Sequence, residues 1–211
     1  KNPALSKLTL MMEDQTVTVD AAPSMFPDWY LTSPSVTGDV NVVMEAPAAS
    51  TPAITKALIY TEVFNAGAFE YQLVSAPIDF TTPLSEYTWM AHPSDPNSRL
   101  KGFVKSYKIK VKMVDENGLM SVLSDMQQSI HLTVNEGGGN EQVANLIWTP
   151  YLGREVAYYE VYGSDSPVDF GTPGALSETL PADATSFTDL VGYDYYQVAA
   201  AFVPSTGAFK N

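Results

Sequence analysis

Val40-Asn41-Val42-Val43-Met44-Glu45-Ala46-Pro47 is echoed later in the chain by Val143-Ala144-Asn145-Leu146-Ile147-Trp148-Thr149-Pro150. Each run leads to a tyrosine-bearing stretch, Ile59-Tyr60 in the first copy and Tyr159-Glu160-Val161-Tyr162 in the second. Each then reaches a run of strict alternation: Tyr107-Lys108-Ile109-Lys110-Val111-Lys112-Met113, and Tyr196-Gln197-Val198-Ala199-Ala200. Alternate side chains of a β-strand point to opposite faces, so apolar residues at every second position mark strands with one face on a core. A repeat of this kind, about one hundred residues long, predicts two β-sandwiches in tandem. No segment carries sustained helical periodicity, so the chain is expected to be all-β.

Working outward, Lys7–Met12 and Thr16–Val19 read as two short strands, in an N-terminal strand segment spanning residues 1–31. The first sandwich is expected over residues 32–136, with strands at 40–44, 54–63, 69–74, 87–90, 106–114 and 129–134. Asp115-Glu116-Asn117-Gly118 is a turn, with Asn and Gly suited to positive φ. Gly137-Gly138-Gly139-Asn140 reads as a flexible linker and places the boundary. The second sandwich is expected over residues 140–211, with strands at 143–148, 156–162, 186–189 and 195–203. Between them, residues 165–181 are rich in Gly, Pro and Ser and are expected to form loops with one short strand.

The hydrophobic fraction of 45% is enough for two small cores. There is no cysteine, so stability comes from packing, and thiolate metal sites are excluded. No apolar run is long enough to cross a bilayer. The net charge of −13 argues against nucleic acid and an anionic membrane surface as partners, and without a long apolar run no membrane insertion is expected. That charge is uneven: residues 136–211 hold ten acids against Arg154 and Lys210, whereas six of the eleven bases lie between Arg99 and Lys112. No Asn-x-Ser/Thr acceptor occurs, which favours a prokaryotic or viral source, and a start at Lys1 points to a processed or excised segment.

The chain resembles the fibronectin type III family. Trp148 and Pro150 match the family's early V-x-L-x-W-x-x-P strand, with Met44 and Pro47 in their place in the first copy. Tyr107, Ile109, Val111 and Met113, followed by Gly118 and Ser121, match its late strand, and Tyr196, Val198 and Ala200 match the inward phase in the second copy. There the position of the family's corner tyrosine falls on Asp194, between Tyr193 and Tyr195. The resemblance implies tandem immunoglobulin-like sandwiches over about residues 32–211, and it implies no particular ligand.

Catalysis fails on inventory. A serine-type triad needs a histidine beside a nucleophile, and His92 and His131 have no Gly-x-Ser-x-Gly turn near them. Asp115-Glu116-Asn117-Gly118 and Asp165-Ser166-Pro167-Val168-Asp169 offer paired carboxylates to calcium but lack a dedicated loop's alternation, so turn chemistry is their expected role. No cofactor is expected. Three surfaces remain. Lys108, Lys110 and Lys112 form an outward ladder, compensated by Glu62 and Glu70 or serving as a docking face for an acidic partner. Trp29, Tyr30, Trp89, Tyr151, Tyr158 and Tyr162 are candidates for a sugar-stacking platform. The third is an open edge at Tyr196, Val198 and Ala200, because only four residues follow Gly207. Leu8, Leu10, Met12, Val17 and Val19 form a surplus strand segment able to complete that edge in another copy, unless the chain was cut from a longer protein that carries the missing strand.

The sequence is thus expected to be a non-catalytic structural or adhesive module, extracellular, cell-surface or virion-exterior, whose partners are proteins including further copies of itself. The alternative is a glycan-binding accessory module of a surface polysaccharide-uptake system.

Overall fold

The computed structural model describes residues 7–12, 15–20, 29–32, 40–45, 52–74, 78–80, 86–89, 105–136, 143–166 and 176–203. Among them there is no helix. At the start, β1 (Lys7–Met12) and β2 (Gln15–Asp20) pair antiparallel as a two-stranded sheet, with Leu8 opposite Val19 and Leu10 opposite Val17.

Two sets of strands follow. The first is β3 (Trp29–Thr32), β4 (Asn41–Glu45), β5 (Ile54–Asn65), β6 (Ala68–Leu73), β7 (Ile78–Asp79), β8 (Glu86–Trp89), β9 (Lys108–Asp115) and β10 (Gln127–Gln128). It forms the sheets β3-β4-β8 and β10-β9-β5-β6, with short β7 also on β5. The second is β11 (Leu132–Glu136), β12 (Ala144–Trp148), β13 (Val156–Ser164), β14 (Leu176–Pro181), β15 (Ser186–Asp189) and β16 (Tyr195–Phe202). It forms β11-β12-β15 and β14-β13-β16. With β7 set aside, the order repeats: one sheet takes the first, second and fifth strands of the set, the other the fourth, third and sixth. The fold is all-β, two fibronectin type III-like sandwiches in tandem after an N-terminal strand pair.

This pairing changes the expected strand assignment at two places. The strand expected at 129–134 to close the first sandwich runs over Leu132–Glu136 and pairs antiparallel with β12, with Leu132 opposite Trp148 and Val134 opposite Leu146. The glycine run at 137–139 therefore falls, in sequence, between two strands of one sheet; those residues lie outside the described ones. The first sandwich also starts earlier than expected, because β3 lies largely within the stretch assigned to the N-terminal segment. Alternation shows that a run is a strand, and it does not say which strand it pairs with.

The chain splits into two compact units, one chiefly Val43–Trp89 and Lys110–Ser124, the other chiefly Asp125–Asn211 with Tyr30–Val42. Along β9 the inward phase is Ile109, Val111 and Met113, all fully buried, with the lysines between them half-buried. In the second unit Ala144, Leu146, Trp148, Tyr159 and Val161 form one buried cluster, and Tyr196, Val198 and Ala200 of β16 pack against it. Trp148 is 3% exposed and meets the Tyr159 ring edge-on at 5.7 Å.

The hairpin joining β5 to β6 turns through Ala66 (φ 48°) and Gly67 (φ 89°). Two residues at positive φ make a type I′ turn, whose twist matches that of the flanking strands. This turn fixes the register, so that Glu62 faces Tyr71 and Phe64 faces Phe69.

Candidate interaction surfaces

The far side of β9 is closed in an unusual manner. Between β9 and β10 only two residue pairs are in regular register, Gln127 with Ile109 and Gln128 with Lys108. Three buried serines hold the rest. The Ser121 N–H donates to the Met113 carbonyl (2.9 Å) while the Met113 N–H donates back to Ser121 Oγ (2.9 Å). Ser124 makes the same two-point clasp with Val111, at 2.9 Å each way. Ser129 makes it with Tyr107, again at 2.9 Å each way. Each hydroxyl stands in for a strand carbonyl, so no buried N–H of these three residues is left without an acceptor.

β16 occupies the corresponding place in the second sandwich, where Tyr196, Val198, Ala200 and Phe202 repeat Tyr107, Ile109, Val111 and Met113. It pairs with β13 along Tyr195–Phe202 and is the last strand of its sheet among the described residues. Residues after Val203 lie outside them.

The corner tyrosine is Tyr196 and not the expected position 194. Its hydroxyl donates to Asp189 Oδ2 (2.7 Å) and accepts the Tyr193 N–H (2.9 Å). Asp189 also accepts the N–H groups of Val191 and Gly192, both at 3.0 Å. The Tyr193 ring stands edge-on to Tyr196 at 6.2 Å. Burial, and after it the hydrogen bond to Asp189, push the Tyr196 hydroxyl far above the ordinary tyrosine range.

The three lysines share the outward face of β9 with two tyrosine rings. Lys110 Nζ lies 5.0 Å from the centroid of Tyr71, and Lys112 Nζ 5.7 Å from that of Tyr60. Glu62 occupies this face beside Tyr71, whose hydroxyl is raised by burial and then by the Glu62 charge. Glu70 was expected to face the lysines as well, but the turn register puts it opposite Val63, on the other phase of β6. There it accepts from Asn65 Nδ2 (2.8 Å) and Gln72 Nε2 (2.7 Å), which hold its carboxyl below the usual range. Beyond the lysines the face turns apolar. Phe64 and Phe69 are 66% and 70% exposed with ring centroids 5.0 Å apart, and Leu73 is exposed at the other end of β6, opposite Tyr60.

The equivalent face of the second sandwich carries Tyr158, Glu160 and Tyr162 on β13. Its cross-strand neighbours are small or polar: Glu160 lies between Thr179 and Ala199, Tyr158 between Pro181 and Ala201, and Tyr162 between Ser177 and Gln197. Burial raises the Tyr162 hydroxyl, and its hydrogen bond to Glu160 adds to the shift.

The expected sugar platform does not assemble as one surface. Trp29 and Tyr151 are buried, Trp89's side chain lies outside the described residues, and only Tyr158 and Tyr162 share an outward face. Tyr151 is instead a structural node. Its hydroxyl bonds Gln127 Oε1 and accepts the Leu31 N–H (2.8 Å), and its own N–H donates to the Tyr159 hydroxyl (3.0 Å). Beside it the Arg154 guanidinium lies 4.6 Å from the Phe202 ring and 5.6 Å from Tyr30. Gly153 (φ 101°) passes so close to Met126 and Gln127 that a Cβ would meet the Met126 carbonyl oxygen at 2.6 Å.

Asp115 serves the turn chemistry, its Oδ1 accepting the N–H groups of Asn117 (2.9 Å) and Leu119 (2.8 Å). Part of the 165–169 segment, and His92, lie outside the described residues. Among the described residues, no cluster of three His, Cys, Asp or Glu side chains is placed to hold a metal, and no helix is long and apolar enough to cross a membrane.

No family model and no curated protein matches the chain. Among solved structures it is similar to the FN1–FN3 domains of chicken CNTN1, at 12% identity and a TM-score of 0.37. The match covers 89% of this chain, which spans 64% of that one. The fold assignment stands on the strand order described above.

Proposed function

We propose that this chain is a non-catalytic structural or adhesive module of an exterior surface, joining to further copies of itself by strand addition at β16. The observation that carries this reading is the contrast between the two late strands: β9 has its far edge closed by three serine clasps, and β16 ends its described sheet. The N–H and C=O groups of Tyr196, Ala200 and Phe202 correspond to those the serines hold on Tyr107, Val111 and Met113. An edge of eight residues offers a template for an incoming strand. The N-terminal segment supplies a suitable one. A two-stranded sheet such as β1–β2 is marginal in water by itself and gains by joining a larger one. In sequence, Ser6-Lys7-Leu8-Thr9 repeats the hydroxyl spacing of Ser121-Val122-Leu123-Ser124. A contact of this kind runs head to tail and propagates as a filament unless it closes into a ring.

The test is sedimentation of wild type and of Leu8→Pro/Leu10→Pro over a concentration series. Proline removes N–H donors from the added strand without touching either sandwich. Loss of polymer with an unchanged near-ultraviolet spectrum is the expected result, and a wild-type chain that is monomeric at every concentration would sink the reading. A glycan-binding function keeps one support, the outward pair Tyr158 and Tyr162 on β13. Glycan-array binding that vanishes on Tyr158→Ala/Tyr162→Ala would favour it.

A further inference from the structure

The same outward pattern occurs on the third strand of both sandwiches, Tyr60-x-Glu62-x-Phe64 on β5 and Tyr158-x-Glu160-x-Tyr162 on β13. What differs is the strand beside it. β9 presents Lys108, Lys110 and Lys112 on that face, and β16 presents Gln197, Ala199 and Ala201. Among the described residues of β9 and β5, that face carries three lysines and one glutamate, beyond which Phe64 and Phe69 stand exposed. The other carries a glutamate flanked by alanine and threonine, in the half of the chain whose net charge is strongly negative.

We infer that these two faces dock on each other between neighbouring copies, the lysine–aromatic face of β9, β5 and β6 meeting the Tyr158–Glu160–Tyr162 face of the next copy. Charge complementarity selects the occupant. A protein with net charge −13 repels its own copies over most of its surface, and a localised basic face is where an acidic face of the same chain is attracted. The apolar content fits as well. Phe64 and Phe69, opposite each other across the hairpin, form an exposed aromatic pair of the kind that marks an interface. Ala199 and Ala201 leave room between Tyr158 and Tyr162 into which large side chains can pack. The contact deepens the self-association proposed above but uses a surface other than the β16 edge, so the two are tested separately.

The test is a charge exchange in the full-length chain, read by sedimentation velocity at low and high salt. Lys110→Glu alone and Glu160→Lys alone are each expected to weaken association by roughly tenfold or more. An equimolar mixture of the two variants is expected to restore it to within roughly threefold of wild type, because each altered face then finds its complement on the other variant. A variant that failed to fold could not be rescued this way, so the mixture also controls for misfolding. Weakening by salt is expected in wild type and in the mixture alike. A mixture no stronger than either variant alone overturns the inference. So does a sulfated polysaccharide that binds the chain and is released by Lys108→Gln/Lys110→Gln/Lys112→Gln while Glu160→Lys leaves association unchanged. Repeating the series with Leu8→Pro/Leu10→Pro separates the two contacts. Association that persists there and still obeys the charge exchange supports this face and removes strand addition; association abolished by the prolines and indifferent to the charges does the reverse.

Discussion

The two sandwiches share a strand order and, among the described residues, differ in what is paired with the far side of the sixth strand. In the first, residues 119–129 run alongside β9 with little regular register; Ser121 and Ser124 each close a pair of hydrogen bonds with one residue of β9, and Ser129 does so with Tyr107 just before it. In the second, β16 carries a matching series of residues and is the last strand of its described sheet. An edge can thus be satisfied without a regular strand, provided that hydroxyls arrive where carbonyls would have been. The same comparison holds on the cores: Met44 stands in the first sandwich where Trp148 stands in the second, both buried.

The largest effect is expected at those core positions. Trp148→Ala should destabilise the second sandwich by about 3–5 kcal/mol, and Met44→Ala the first by about 2–5 kcal/mol. Denaturant unfolding followed by the remaining fluorescence and by circular dichroism checks whether each loss is confined to its own sandwich. A Trp148→Ala protein that unfolds like wild type would break the correspondence between the two early strands.

Next come the clasps. Ser121→Ala or Ser124→Ala leaves a buried N–H on Met113 or Val111 without its acceptor, at a cost of about 1–3 kcal/mol each. Hydrogen exchange at those two amides should quicken while exchange in β13 stays unchanged.

A somewhat smaller loss, about 1–2 kcal/mol, is expected for Tyr196→Phe, which removes the hydroxyl shared by Asp189 and the Tyr193 N–H. The hydroxyl also sets a pH dependence. Because its folded-state pKa lies above the unfolded value, its contribution is fully present below about pH 10 and is lost as pH rises above that. Thermal melts from neutral to alkaline pH should show wild type losing stability faster than Tyr196→Phe; Tyr71 and Tyr162, both also raised, leave a shallower slope in the variant.

The smallest effect is a gain. Ala66 sits at φ 48°, a conformation that costs an alanine about 1–2 kcal/mol and suits asparagine better. Ala66→Asn should raise the stability of the first sandwich by about 0.5–1 kcal/mol, seen as a higher melting temperature, and leave the second unchanged.

Much of this was legible in the residues. Strict alternation located β9 and β16 and named their inward phases, and the repeat placed Trp148 under the second sandwich. What alternation does not encode is the partner. Leu132–Glu136 reads equally well as the end of one sandwich or the start of the next, and only its pairing with β12 decides. Register was likewise out of reach for Glu70, whose face is set by the two-residue turn at Ala66-Gly67. The corner tyrosine was ambiguous because Tyr193, Tyr195 and Tyr196 crowd the same corner, and a hydroxyl's partners lie in space. The sugar platform misled for a simpler reason: burial of Trp29 and Tyr151 depends on what folds over them, which spacing along the chain does not reveal.

The serine clasps bear on how the first sandwich would respond to an applied force. Residues 119–129 continue, with only Ile130 and His131 between, into β11, the first strand of the next sandwich. A pull applied along 119–129 loads all three pairs of bonds. Paired bonds at Met113, Val111 and Tyr107, spread along that line, are stretched together and not peeled one after another, so rupture requires several to fail at once. Serines that serve at rest to satisfy buried amides act, when the chain is pulled, as rivets in shear.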